Sequence, residues 1–149
     1  MEIKLKPIGV IHTPYKNLEE IPIQGRLRPE VKGTVEVYPE FSEGLKDVEK
    51  FSHIILLYHF HCSGELKLVA KPYLGKEKRG IFAIRHPCRP NPIGLTVVRL
   101  VKRKENVLEV SGVDMLDKTP LLDIKPYVPE FDAVPEASSG WLQDKLDER

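Results

Sequence analysis

The chain has 149 residues, a net charge of +1, 41% hydrophobic and 30% charged residues, which is the size of one domain and the composition of a soluble globular protein. There is no N-terminal signal pattern and the longest apolar run, Ile54 to Tyr58, is far too short to span a bilayer, so neither secretion nor membrane insertion is indicated and a cytoplasmic location is expected. Cys62 and Cys88 are too few for a disulfide framework and read as buried or idle thiols of a reducing compartment.

In chain order, Lys6 to Thr13 reads as a strand running into a Thr-Pro-Tyr turn. A long connection with no clear period follows, EIPIQGRLR from Glu20 to Arg28, and such a loop in a compact domain is more often functional than decorative. Gly33 to Tyr38 alternates as a strand, and Ser42 to Val48 reads as a short helix capped by Ser42 with Leu45 and Val48 facing inward. His53 to His61 is apolar on both faces and so predicts a central strand. Leu66 to Ala70, Gly80 to Arg85, Gly94 to Arg103, Val107 to Val113 and Leu121 to Tyr127 predict further strands, closely spaced, as in a meander closing into a barrel. Trp141 to Leu146 predicts a last turn of helix or an ordered arm. The expected fold is mainly β: a single β-barrel domain over residues 1–149 with short helical or loop additions, and no sign of a second domain.

Charge is distributed unevenly. Eleven Lys or Arg stand against two acidic residues from Glu65 to Lys104, and four against eleven from Glu105 to Arg149. The basic middle, with Lys76, Lys78 and Arg79 before the loop and Lys102, Arg103 and Lys104 after it, suits a polyanion, although solvated lysine-rich strand edges would look the same. Within it, Pro87, Pro90 and Pro92 stiffen a loop between two strands and hold His86, Arg89 and Asn91 extended, so that a guanidinium fork and a carboxamide are presented to a small polar ligand or a phosphate.

Several chemistries find little support. On a strand, His59 and His61 share a face while Cys62 points away, so a zinc triad would need a bulge, and no second ligand pair is present; no metal is expected. No Gly-x-Ser-x-Gly elbow and no Gly-rich strand-to-helix turn occurs, which argues against a nucleophilic hydrolase and against Rossmann or P-loop nucleotide binding. Asp114 and Asp117, ahead of Lys118, Thr119 and Pro120, offer carboxylates for ribose hydroxyls and loop amides for an adenine edge, or else form a turn in which Asp117 bonds its own backbone.

Taken together, IGVIHTPYK (Ile8 to Lys16), PIQGRL (Pro22 to Leu27), FSHIILLYHFH (Phe51 to His61), GIFAIRHPCRPNPIGLT (Gly80 to Thr96) and DMLDKTPLLDIKPYVP (Asp114 to Pro129) closely resemble the TrmO, or TsaA-like, family. The resemblance implies a methyltransferase dependent on S-adenosylmethionine, built on a β-barrel rather than a Rossmann sheet. It would methylate N6 of threonylcarbamoyladenosine in the anticodon stem-loop of tRNA and act as a homodimer with the cofactor near the subunit interface. Carried over by residue, cofactor contacts fall on Pro22, Ile23, Gln24, His61, Cys62, Arg85, Leu95, Asp117, Lys118, Thr119 and Pro120, with Arg89 and Asn91 in the same loop. Ile23 stands where relatives usually carry arginine and Cys62 where glutamine is common, departures that weaken the expected contacts. Because some relatives carry an additional C-terminal domain, the grip on tRNA is expected from the basic middle or from dimerisation.

Chemically this is coherent, since a sulfonium cofactor carries a cation, a carboxylate, ribose hydroxyls and an adenine, and arginines, aspartates and rigid loops cluster in those stretches. For the base that removes the N6 proton the candidates are His61, Asp114 or water, with Asn91 a further candidate for a catalytic role. Two other readings stay open: an S-adenosylmethionine-binding sensor or partner protein without methyl transfer, and a nucleic-acid-binding barrel without chemistry. The second is disfavoured because Tyr73 and Phe82 are the only Tyr, Phe or Trp residues in the basic middle.

Overall fold

The computed structural model describes residues 1–22, 24–60 and 64–147. The candidates Ile23, His61 and Cys62 therefore lie outside the described residues. Among the described residues there are eight strands: β1 (Gly9–His12), β2 (Lys32–Val37), β3 (His53–His59), β4 (Val69–Ala70), β5 (Arg79–Gly80), β6 (Ile93–Lys104), β7 (Val107–Ser111) and β8 (Thr119–Pro126). The chain divides into two compact units, Met1–Phe60 with Ile93–Tyr127, and His61–Pro92 with Val128–Arg149.

The first unit is a closed barrel in the order β1-β2-β7-β6-β3-β8. Alternation builds it: Ile54, Leu56 and Tyr58 of β3 and Gly94, Thr96, Val98 and Leu100 of β6 point inward. They join Ile11, Val35, Leu108, Val110 and Leu121 in one core. Each such aliphatic side chain contributes about 1.5–3 kcal/mol on burial, and a one-residue slip would turn a whole strand's set outward, so the pattern fixes the register. β3 is flanked by β6 and β8, but every strand of a closed barrel has two neighbours. The outer face of β3 is only half-buried, so its two apolar faces do not single it out as central.

The order is not that of a meander. β2 pairs with β7, and β3 pairs with both β6 and β8. β3 and β6 remain antiparallel neighbours although residues 61–92, the first segment of the second unit, separate them in sequence. The two strands expected in that segment do not join the barrel; they shrink to the two-residue ladder β4/β5, and Ile81–Ala83 forms a 3-10 turn. The reason is spacing: Ile81 and Ile84, three apart, share one side and pack with Ala70 and Trp141 in a separate small core. The expected Ser42 helix is a 3-10 segment, Pro39–Leu45, started by Pro39, with Ser42 inside it and its hydroxyl donating to the Pro39 carbonyl at 2.9 Å. Leu45 and Val48 do face the core.

Two short helices, α1 (Pro129–Asp132) and α2 (Gln143–Asp147), belong to the second unit. Just ahead of α2, the Trp141 indole donates to the Ala83 carbonyl at 2.8 Å, with the Arg79 guanidinium 4.8 Å over its ring. Cys88 is buried and disulfide-bonded, a correction to the idle thiol expected above, since two cysteines in a sequence carry no information on their proximity. Among the described residues no helix is long and apolar enough to cross a membrane, and no group of His, Cys, Asp and Glu side chains could hold a metal.

Candidate functional site

One end of the barrel carries the aspartates. The Asp117 carboxylate accepts from the Thr13 amide at 3.0 Å and from Lys16 Nζ at 2.6 Å. Both contacts hold it below the usual carboxylate range, the Lys16 hydrogen bond foremost. Asp117 thus ties the start of β8 to the segment after β1 rather than bonding its own turn. The Asp117 amide donates to the Tyr15 carbonyl, the Lys118 amide to the Ile11 carbonyl, and the Thr119 hydroxyl to the Leu116 carbonyl. Lys118 is left-handed at φ 67°, which turns the chain sharply into β8. Each Asp117 oxygen keeps a second lone pair, so a ligand hydroxyl can still be accepted there.

Asp114 is differently placed. Only 7% exposed, its carboxylate accepts from Thr96 Oγ1 at 2.5 Å, Tyr58 Oη at 3.2 Å and the Gly25 amide at 2.9 Å. Thr96 and Tyr58 stand on neighbouring strands and their hydroxyls are also 3.2 Å apart. The Gly25 bond seats the start of a 3-10 turn, Gly25–Leu27, that follows Pro22 and Gln24. Glycine is required there: a Cβ at position 25 would come 1.7 Å from the Gly112 carbonyl oxygen. Asp114 is therefore a buried anchor for the loop. Beside the same loop, the Tyr15 hydroxyl is buried without a hydrogen-bond partner among the described residues, and burial pushes its pKa up.

Leu95 lies on the outer face of β6, opposite Leu57, and is 48% exposed beside half-open Ile93. Arg85, Arg89 and Asn91 belong to the second unit. Arg85 is exposed. Arg89 does not present a whole fork: its Nη1 donates to the carbonyls of Ile84 (2.8 Å) and His86 (3.2 Å), bracing its own loop. Asn91 is exposed. Two open hollows on the barrel, of about 540 and 600 Å³, are lined by none of the candidate residues.

The family model described as the tRNA-methyltransferase O N-terminal domain matches residues 10–133. The chain belongs to the TrmO family. It is 59% identical over 141 residues to a probable S-adenosyl-L-methionine-binding protein of Pyrococcus abyssi, covering 95% of this chain and 77% of that one. It is 36% identical over 150 residues to the tRNA (adenine(37)-N6)-methyltransferase of Escherichia coli, covering 94% of this chain and 64% of that one. The crystal structure of TrmO from Pseudomonas aeruginosa superposes with a TM-score of 0.80 at 40% identity, over 95% of this chain and 63% of that one. The chain thus spans less than two thirds of the length of both TrmO-type methyltransferases.

Sequence reasoning missed Tyr58, Thr96 and Gly25 as partners of Asp114. Gly25 carries a signal in hindsight, a lone glycine in a loop without period; the two hydroxyls, on strands, carry none.

Proposed function

We propose that this protein is an S-adenosylmethionine-dependent tRNA methyltransferase that methylates N6 of threonylcarbamoyladenosine beside the anticodon. The match to the TrmO domain over residues 10–133 carries the reading, and the anchored Gly25 loop and the β8 turn support it with a pre-organised site. The residues present suit the cofactor. In the barrel, Pro22, Gln24, Leu95 and the turn from Asp117 to Pro120 are the proposed contacts: an acceptor at Asp117 for a ribose hydroxyl, and an open apolar surface at Leu95 for the adenine. In the second unit, Arg85 is proposed to meet the carboxylate, with Arg89 supporting its loop. Ile23 and Cys62 are retained on the resemblance alone. We treat the two units as parts of one functional domain because the family model spans both.

When bound, the cofactor supplies an electrophilic methyl on a cationic sulfur. The chain's part is to hold that methyl and the acceptor nitrogen in line, which is worth about 7–11 kcal/mol of the barrier. Asp114, accepting from Thr96, Tyr58 and the Gly25 amide, serves by holding the Gly25 loop. The N6 proton goes to His61 or to water, and Asn91 orients the substrate by its carboxamide. A cytoplasmic homodimer acting on the anticodon stem-loop is proposed, with exposed Ile93, beside the Leu95 contact of the cofactor, facing the second copy. Calorimetry with S-adenosylmethionine followed by single-turnover methyl transfer to tRNA, with and without the threonylcarbamoyl group, tests this. Binding together with transfer to the modified tRNA alone is the expected result. Binding without transfer to any tRNA establishes the sensor reading instead.

A further inference from the structure

The hairpin of the second unit is built to present its tip. β4 and β5 pair Val69 with Gly80 and Ala70 with Arg79, and the ladder is extended by the Ile81 amide donating to the Leu68 carbonyl at 2.9 Å. The tip between them is KPYLGKEK, residues 71–78. It turns at Gly75, φ 95°, whose Cα side lies against Trp141 and the Lys145 stem. Tyr73 stacks on His86, ring centroids 6.3 Å apart and planes within 19°, yet remains 64% exposed. One face of the phenol ring is therefore supported and the other is open. Phe82, in the turn after β5, is 78% exposed and takes no part in the small core. Burying a phenylalanine would favour folding, and this fold leaves it in water.

The segment that carries these rings is rich in cations. Between residues 65 and 92, seven Lys or Arg stand against Glu65 and Glu77. Arg79 is occupied by Trp141 and by Glu77 at 3.3 Å, which leaves Lys67, Lys71, Lys76 and Lys78 exposed. His86 stays below its ordinary pKa through burial and the charges of Lys67 and Arg89, so it supports Tyr73 as a neutral ring.

We infer that Tyr73, backed by His86, and Phe82 form a stacking platform for unpaired RNA bases, with Lys71, Lys76 and Lys78 taking the flanking phosphates. Aromatic faces beside exposed ammonium groups are the chemistry of single-stranded nucleic-acid binding, where every base offers a π-face and every linkage a charge. An acidic peptide would use the lysines but leave the rings idle, and a second copy of the tip would bring like charges together. The inference rests on the reading of the substrate as tRNA and assigns the surface that grips its loop.

The test measures binding of a labelled RNA stem-loop and of a blunt RNA duplex to the full chain at several salt concentrations, with cofactor affinity measured in parallel. Tyr73→Ala combined with Phe82→Ala should weaken the stem-loop at least tenfold with an unchanged salt slope and leave the duplex unaffected, whereas Tyr73→Phe should bind as wild type. Replacing Lys71, Lys76 and Lys78 by alanine should flatten the log-log salt slope by about 2, at about 0.7 per single-strand phosphate contact. Cofactor affinity should not move in any variant. If the double aromatic variant binds the stem-loop within twofold of wild type while wild type methylates tRNA, the platform is refuted and the tRNA reading stands. If it changes the oligomeric state instead, the surface is a contact between copies. If wild type binds cofactor but no RNA, both readings fall.

Discussion

Replacing Asp114 by alanine tests whether the buried carboxylate anchors the Gly25 loop. The substitution strips the acceptor from three donors, Thr96 Oγ1, Tyr58 Oη and the Gly25 amide. The hydroxyls sit 3.2 Å apart and can rotate toward each other. The Gly25 amide cannot rotate, because its backbone is wedged against Gly112. One orphaned buried N–H costs about 1–3 kcal/mol, and a lost hydrogen bond to a charged group about 1.5–3 kcal/mol. Lifting the desolvation of the carboxylate offsets part of this, so the net loss should sit near the lower end of the sum, about 3 kcal/mol. Asp114→Asn should cost about 1 kcal/mol, since its carbonyl can serve Gly25 while its amide donates to the rotatable hydroxyls. Urea melts of both variants measure the losses, hydrogen exchange at Gly25 locates them, and calorimetry shows whether cofactor affinity falls with loop order. A loss below about 1 kcal/mol for Asp114→Ala, with the Gly25 amide still protected, would refute the anchor.

Two further outcomes follow from single contacts. In Gly94→Ala the new Cβ would lie 2.4–2.6 Å from the Tyr58 and Phe60 rings; displacing Tyr58 from Asp114 should lower stability by about 1–3 kcal/mol in a urea melt, and an unshifted midpoint would show that the rings yield freely. His86 accepts the Cys88 amide on Nδ1 at 3.1 Å, and burial with Lys67 and Arg89 depresses its pKa. A depressed folded pKa means that fewer protons are bound folded than unfolded, so its contribution is intact above about pH 6.5 and is lost as pH falls through the window below. NMR titration should place His86 below the ordinary value, with Cys88 amide exchange rising on acidification; a normal or raised pKa would contradict this.

The barrel strands could be read from sequence because half-buried strands must alternate, whereas the apolar outer face of β3 did not mark a central strand, since a closed barrel has none. Their order could not be, since pairing β2 with β7 is a non-local choice that no short window records. The aspartate turn was found by its residue types, but its meaning lay elsewhere in the chain. Asp117 bonds Thr13 across 104 residues, and Asp114 reaches Gly25 across 89. A free carboxylate and a saturated anchor have the same letters.

The proline loop shows the same limit from the other side. Its prolines predict stiffness, yet stiffness alone does not say where Arg89 points, and its Nη1 turns back onto the Ile84 and His86 carbonyls. Charge reads in the same way. Arg79 and Arg103 add to the basic middle, but Arg79 lies over Trp141 and Arg103 clamps the Leu45 and Glu105 carbonyls. Of the basic middle, Lys71, Lys76, Lys78, Arg85 and Arg99 stay exposed, as do the rings of Tyr73 and Phe82. A count of aromatic residues does not say how many keep an open face, because exposure is a property of the fold.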